Sequence, residues 1–293
     1  MALKNKLKSA ARFIMSNIPA RKYNIQIVNL APNELLKGRA ALITGGTSGI
    51  GYCMAETFLR SGAIVIITGR NKERLQRSLK ELNKRNDCFN RVFGVVMDST
   101  DISSFQRCLD EVLDDIKTGG GKSLDILVNN AGVIGGNMPN ADEAEYDAVL
   151  DTNLKGVFFL SQLVGKYMKE NKIHGNILNV ASSSSLRPAD SAYSVSKWGI
   201  RGLTLGLAKS LVSYGITVNG IAPGPTATPM LIKDNLQYIT NNASPIGRYI
   251  LPEEIANMAV VLVSSLGKTI IGDIIYMTGG AATITYDDVG YPF

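Results

Sequence analysis

A doubly wound α/β domain built on a mostly parallel sheet is the fold class this sequence predicts. Apolar runs of strand length alternate with segments of helical periodicity along most of the chain, and one early run passes through a glycine-rich turn directly into a helix. Size agrees: 293 residues, 45% of them hydrophobic and 19% charged, are enough for one large core and too few for three ordinary domains. The expected organisation is a basic N-terminal extension over 1–37, a single α/β domain over 38–280, and a tail over 281–293.

Residues 1–22 carry Lys4, Lys6, Lys8, Arg12, Arg21 and Lys22 with no acid, while Leu3, Leu7, Ala10, Ala11, Ile14, Met15 and Ile18 recur at helical spacing. Three readings compete here: a packing or oligomer-contact helix, an amphipathic helix on an anionic membrane surface, and a cleaved targeting peptide. No uninterrupted apolar run reaches the ~18 residues a bilayer span requires. Tyr23–Leu30 alternates as a short strand, and 31–38 reads as a linker. Arg39–Thr44 (RAALIT) is the first strand of the main domain, followed by the glycine turn and a helix through Leu59. Further strands are expected over Ala63–Thr68, Arg91–Met97, Leu124–Val128, Asn176–Ala181 and Ile216–Ile221, with a last one before Thr278. A long helix is expected over Ala141–Lys169, with Asn153, a poor helix former, in its middle. Another begins near Ser191, and its Trp198, Ile200, Leu203, Leu205, Leu207, Ala208 and Leu211 are suited to burial.

The net charge of +6 sits at the N-terminus. Residues 1–38 hold seven bases and one acid, which leaves 24 of each sign from Arg39 onward. A neutral body lacks the clustered basic face that nucleic-acid binding needs, so no nucleic-acid partner is expected. Cys53, Cys88 and Cys108 match neither a metal site nor a disulfide framework, which favours a reducing, cytoplasmic location. With a single histidine, His174, a His-centred triad or a multi-His metal site is not expected; beside Gly175 it reads as a surface turn residue.

Two stretches carry chemistry. Gly45, Gly46, Thr47, Ser48, Gly49, Ile50 and Gly51 join a strand to a helix, the context in which a glycine motif binds a dinucleotide. Glycines let the backbone approach the pyrophosphate, and the helix N-terminus offers N–H groups with a positive dipole end. The second stretch is Ser182–Lys197 (SSSSLRPADSAYSVSK). Tyr193 and Lys197, four residues apart, share a helix face. A free tyrosine, with a pKa near ~10, holds its proton too tightly for acid/base work at neutral pH, and a neighbouring cation lowers that value. Taken alone, the pair equally describes an exposed helix face, and the serines a polar loop.

Together these motifs make the chain resemble the short-chain dehydrogenase/reductase family, in its TGxxxGxG and YxxxK subgroup, from about Lys37 to Gly280. Thr44-Gly45-x-x-x-Gly49-x-Gly51 is the first motif. Asn129-Asn130-Ala131-Gly132 matches the NNAG element, and Asn153 the mid-helix asparagine. Pro223-Gly224 with Thr228 matches the PGxxxT loop; Arg248 with Pro252-Glu253-Glu254-Ile255-Ala256, and then Thr278-Gly279-Gly280, match the C-terminal pattern.

The resemblance implies a Rossmann-type three-layer sandwich acting as an NADP(H)-dependent oxidoreductase on a ketone/secondary alcohol pair. Its cofactor would be held by Thr44, Gly45, Thr47, Ser48, Gly49, Ile50 and Gly51, and by Asp98 and Ser99 at the adenine. Asn130, Ala131 and Gly132 lie along it, and Pro223, Gly224, Thr226 and Thr228 lie beside the nicotinamide. Arg70 follows the second strand where NAD-specific relatives carry an acid, so it favours a 2′-phosphate and hence NADP. The alternatives are an Arg70 facing solvent with Asn71 as helix cap, and an Asp98 that only serves a turn.

The implied catalytic set is Asn153, Ser182, Tyr193 and Lys197. Tyr193 is the general acid/base, Lys197 lowers its pKa and binds the ribose, Ser182 orients the carbonyl, and Asn153 orders water towards the lysine. Only ten residues separate Ser182 from Tyr193, about two fewer than in many members, so Ser183 and Ser184 remain alternatives for the serine role. Residues 229–249, with Met230, Leu231, Ile232, Leu236, Tyr238 and Ile239, correspond to a segment that closes over substrate. Relatives pair through the Tyr193 helix and the one before it, which implies a homodimer or homotetramer. An acyl-thioester ketone, a sugar or polyol, and a steroid-like ketone all remain open as substrates, as does a non-catalytic NADP-binding sensor or scaffold.

Overall fold

The computed structural model describes residues 34–86, 90–231, 241 and 244–285. The expected basic helix over 1–22, the strand Tyr23–Leu30, Cys88, residues 232–240 and 242–243 of the closing segment, and Tyr286, Tyr291 and Phe293 lie outside the described residues. All the described residues belong to one compact unit, Ala31–Phe293. Leu36, expected in a linker, instead belongs to the core. It is fully buried, and its N–H donates to Ser61 O at 2.9 Å.

Among the described residues seven strands form one parallel sheet: β1 (Ala40–Ile43), β2 (Ile64–Gly69), β3 (Val92–Val96), β4 (Ile126–Asn129), β5 (Asn176–Val180), β6 (Thr217–Pro223) and β7 (Ile274–Met277), in the order 3-2-1-4-5-6-7. Alternate residues of each strand feed opposite faces. Ala41, Ile43, Val65, Ile67, Ile126 and Val128 pack under α1 (Gly49–Arg60), α2 (Lys72–Asn86) and α7 (Pro252–Val263). Ala40, Leu42, Ile64, Ile66 and Leu127 pack under α3 (Phe105–Thr118), α5 (Gly156–Glu170) and α6 (Ala192–Leu211). The three-layer sandwich expected from the sequence is therefore present. The strand order reverses between β1 and β4, whose register pairs Ile43 with Val128. A crevice opens at that point, beyond the carboxyl ends of the two strands.

The long helix expected over Ala141–Lys169 is broken. Asp142 caps α4 (Glu143–Leu150), its Oδ1 accepting from Glu145 N at 2.7 Å. A π-helical turn, Asp151–Lys155, then intervenes before α5, closed by Gly156 N donating to Asp151 O. The wider turn has a packing cause at each end. Asn153 is 1% exposed and bonded to the neighbouring loop, while a Cβ at Gly156 would lie 2.2 Å from Ser99 O. Helix α6 also departs from expectation. Ile200 and Ala208 are buried, but Trp198 is 41% and Leu205 54% exposed, because the helix packs on the sheet along only one stripe. Among the described residues no helix is long and apolar enough to cross a membrane.

Candidate active site

The first wall of the crevice is the glycine turn after β1. Gly45 and Gly49 have φ of +63° and +55°, in the left-handed region that side chains disfavour. A Cβ at Gly45 would also lie 2.9 Å from Ala131 Cα, so the turn can approach the β4 loop only as glycine. Ser48 is the N-cap of α1 yet makes no side-chain cap hydrogen bond, and the first helical turn has no acid. The N–H groups there face the crevice uncapped by any side chain, which suits an anion such as a pyrophosphate.

Thr44 and Asn130 tie this turn to the second wall. Thr44 Oγ1 accepts from Asn130 N and Ala131 N, both at 3.0 Å, and Asn130 Nδ2 donates to Thr44 O at 2.9 Å and Gly45 O at 3.1 Å. Thr44 and Gly51 stand behind the crevice wall, whereas Gly45, Thr47, Ser48, Gly49 and Ile50 line it, with Asn130, Ala131 and Gly132 opposite. Gly51 is small because Asn130 occupies its space: a Cβ there would lie 2.3 Å from Asn130 Nδ2.

At the other end α6 delivers the phenol and the amine. Ser191 caps the helix, its Oγ accepting from Ser194 N at 3.3 Å, so Tyr193 and Lys197 fall on one face of its first two turns. Both line the crevice. Lys197 is 5% exposed; its Nζ donates to Val180 O at 2.8 Å and lies 5.5 Å from the Tyr193 ring centroid. Burial drives the Lys197 pKa from 10.5 down to about 8. The Tyr193 phenol departs from the expected lowering. Burial pushes it above its ordinary value, and a hydrogen bond from the Ser182 hydroxyl pulls the other way. Burial leaves Tyr193 protonated at neutral pH, while the lysine's ammonium is turned towards a carbonyl.

Ser182, Ser183 and Ser184 all line the crevice, but the hydrogen bond to the phenol belongs to Ser182. Its Oγ also accepts from Ser184 N at 3.1 Å as the cap of a short 3-10 turn over Ser183–Leu186, which fixes the hydroxyl's direction. Asn153 ties two elements together. Its Oδ1 accepts from Val133 N at 2.8 Å, and its Nδ2 donates to Val133 O at 2.9 Å and Ser196 Oγ at 3.2 Å. The side chain thereby clamps the β4 loop to α6.

Arg70 is exposed at the end of β2, and Asn71 caps α2, with Oδ1 accepting from Arg74 N at 2.7 Å. Arg70 also lines the crevice. Asp98 likewise serves two purposes. It lines the crevice beside Ser99, while its Oδ1 accepts from Thr100 N at 2.9 Å and Thr100 Oγ1 at 2.8 Å. Pro223, Gly224, Thr226 and Thr228 form the floor beyond β6, where a Cβ at Gly224 would lie 2.7 Å from Thr278 O. The whole cleft has a volume of about 690 Å³.

Residues 39–238 match the sequence model of the short chain dehydrogenases. The chain belongs to this family. A (2S)-[(R)-hydroxy(phenyl)methyl]succinyl-CoA dehydrogenase subunit of Thauera aromatica is 36% identical over 250 residues, covering 84% of this chain and 97% of that one. A 3-oxoacyl-[acyl-carrier-protein] reductase of Thermotoga maritima is 34% identical, over 84% and 98%. Among solved structures, a 3-ketoacyl-(acyl-carrier-protein) reductase from Brucella melitensis complexed with NADH superposes with a TM-score of 0.75 at 29% identity, over 84% and 99%. This short-chain dehydrogenase is an oxidoreductase of a family that uses nicotinamide dinucleotides and acts on small molecules.

Among the lining residues of this short-chain dehydrogenase that local sequence does not mark are Arg74 and Arg187. Arg74 follows Arg70 by four residues on a predicted helix, a signal the spacing rule could have supplied. Arg187 lies inside the Ser182–Lys197 stretch, hidden by a loop whose path sequence does not define. Tyr249, the last residue of the expected closing segment 229–249, also lines the cleft.

Proposed function

We propose that this chain is an NADP(H)-dependent oxidoreductase interconverting a ketone and a secondary alcohol, with Tyr193 as the general acid/base. The observation that carries the reading is a phenol, a serine hydroxyl and a buried amine converging in the cleft that the glycine turn opens. The left-handed glycines and the uncapped α1 N-terminus fit a pyrophosphate. When bound, the nicotinamide supplies or accepts the hydride. Ser182 donates its hydroxyl hydrogen to the substrate oxygen as negative charge develops there. Tyr193, kept protonated by burial, is poised to give its proton to that oxygen, the state that carbonyl reduction needs. Lys197, with a pKa of about 8, is mostly cationic at neutral pH and stabilises the phenolate left behind.

The preference for NADP rests on two guanidinium groups, Arg70 and Arg74, at the end of the cleft where β2 closes with Gly69 rather than an acid. A 3-oxoacyl thioester is a second reading of the substrate, supported by the reductases from Thermotoga maritima and Brucella melitensis. A non-catalytic NADP-binding sensor is disfavoured by the intact Ser182, Tyr193 and Lys197 arrangement. A homodimer or homotetramer is supported by apolar exposure on α5 and α6, where Phe158, Phe159 and Leu205 face outward beside Gly202 and Gly206, whose surroundings are open. For the boundaries, we place the start of the domain before Leu36. Contact of residues 1–22 with a membrane surface remains a proposal, tested by liposome sedimentation of the full chain.

The reading is tested with purified protein and a panel of ketones. Tyr193→Phe is expected to abolish NADPH oxidation while NADPH fluorescence still reports cofactor binding, and retained turnover would reject the role.

A further inference from the structure

We propose that Asn179 and Thr204 are positioning residues: their buried hydrogen bond sets how far along β5 the helix α6 sits, and so holds Tyr193 and Lys197 in place against Ser182. The effect on turnover rests on the oxidoreductase reading, whereas the fastening itself stands on geometry. Near their carboxyl ends β4 and β5 each place an asparagine on the face that α5 and α6 cover, two residues beyond Leu127 and Ile177 of the core. Asn129 and Asn179 are partners in register, and Asn129 Nδ2 donates to Asn179 Oδ1 at 2.8 Å. Asn129 Nδ2 also donates to Ser161 Oγ of α5 at 2.9 Å, while Asn179 Nδ2 donates to Thr204 Oγ1 of α6 at 2.9 Å. All four side chains are buried.

The direction of this chain of hydrogen bonds is dictated from α6. Thr204 has one hydroxyl hydrogen, and it goes to Ile200 O at 2.8 Å, an atom that can only accept. Thr204 Oγ1 therefore accepts from Asn179, which turns Asn179 Oδ1 towards Asn129. At the far end Asn129 Oδ1 is left buried without a protein hydrogen-bond partner, a penalty that apolar residues in the same space would avoid. Apolar contact, however, is non-directional and lets a helix slide, whereas a hydrogen bond holds its two atoms within roughly half an ångström. What is held is the catalytic end of the same helix. Thr204 follows Lys197 by seven residues, nearly two turns, so both lie on the stripe facing the sheet. Helix α6 is thus fastened to consecutive residues of β5, with Lys197 Nζ donating to Val180 O at 2.8 Å and Thr204 accepting from Asn179. Ser182 lies three residues beyond Asn179, and a hydrogen bond links its hydroxyl to the Tyr193 phenol. A slide of α6 along β5 would stretch the Ser182–Tyr193 and Lys197–Val180 contacts together, and a misplacement of about 1 Å can cost ~100-fold in rate.

The test compares Thr204→Val, which removes the hydroxyl at nearly constant volume, with Thr204→Ser, which keeps it, and with Ser161→Ala, which cuts only the branch to α5. Each full-length variant is assayed for ketone reduction with NADPH, for NADPH binding by fluorescence, and for titration of Lys197 by carbon NMR of its side chain, assigned with Lys197→Met. Thr204→Val is expected to lose about 10- to 100-fold in kcat while the NADPH dissociation constant stays within about twofold. Its Lys197 midpoint should fall below the wild-type value of about 8, because the donation to Val180 O that favours the ammonium is loosened. Thr204→Ser should restore both. Ser161→Ala should lower the thermal midpoint and leave kcat and the Lys197 titration unchanged. A wild-type kcat in Thr204→Val, an unmoved Lys197 midpoint, or a Ser161→Ala variant that loses as much as Thr204→Val would each overturn the assignment. If circular dichroism shows that Thr204→Val is not folded, Thr204→Cys, with a weaker acceptor in the same place, carries the comparison. A wild type that reduces no ketone would sink the oxidoreductase reading, and the Lys197 titration would still decide the fastening.

Discussion

Lys197→Met is expected to make the folded protein more stable at pH 7 while removing activity. The folded state holds the Lys197 proton with a pKa of about 8, against 10.5 for an ordinary lysine. At about 1.36 kcal/mol for each unit of pKa, keeping that buried amine charged costs of order 3 kcal/mol. The hydrogen bond from Nζ to Val180 O, lost in the variant, returns ~1 kcal/mol of this. A net gain of roughly 2 kcal/mol for the methionine variant follows at neutral pH. The pH dependence distinguishes this from simple repacking. Below pH 8 the lysine is protonated in both folded and unfolded chains, so the penalty is constant. Between about 8 and 10.5 the unfolded chain still holds the proton that the folded chain has released. Wild-type stability therefore rises with pH across this window, and the advantage of the variant fades. Tyr193 acts with the opposite sign and later, since its raised pKa lets stability fall only as pH passes 10. Urea unfolding of both proteins at pH 7, 8, 9 and 10, followed by circular dichroism, measures the difference. A methionine variant that is less stable at pH 7, or a difference that stays flat over the series, would refute the reasoning.

Replacing Arg70 and Arg74 together by serine should lower the preference for NADPH over NADH by about 10- to 100-fold, read as the ratio of the two dissociation constants. Gly51→Ala should lower thermal stability and weaken binding of either dinucleotide, because the new Cβ lies 2.3 Å from Asn130 Nδ2 and 2.6 Å from Gly45 O. Unchanged binding would show that the brace between the two turns is dispensable. Glu254 accepts from both terminal nitrogens of Arg248 and from Leu251 N, each at 2.8 Å, and the guanidinium holds its pKa at about 2 instead of 4.5. Its contribution is present above pH 4.5 and lost as pH falls towards 2. Solvent screens the pair, so Glu254→Gln should narrow the stability difference over that range only slightly, measured by urea midpoints.

Much of the fold could be read from residue order alone, because strands buried on both faces announce themselves as continuous apolar runs. Arg39–Thr44 and Asn176–Ala181 each contain the strand observed, and Ala63–Thr68 covers all of β2 but its last residue, Gly69. The helix over Ala141–Lys169 was misread for a physical reason. Its π turn is set by Val133 and Ser99, which approach from elsewhere in the chain, and no local pattern records them. Likewise, the spacing of Tyr193 and Lys197 gave a shared helix face but not the direction of the phenol's pKa, which depends on how much water the surrounding walls exclude.

What the sequence by itself determined is the set of local commitments: which runs become strands, where glycine must stand, and which side chains share a helical turn. Short-range sterics and periodicity are sufficient for these. Only the tertiary structure decided which residues meet. It put Thr44 and Gly51 behind the wall, turned the Asn153 amide to the Val133 loop, aimed Lys197 at Val180 O, and brought Arg187 into the cleft. Those outcomes depend on distances between segments far apart in the chain, which close packing of the whole domain fixes and no single segment contains.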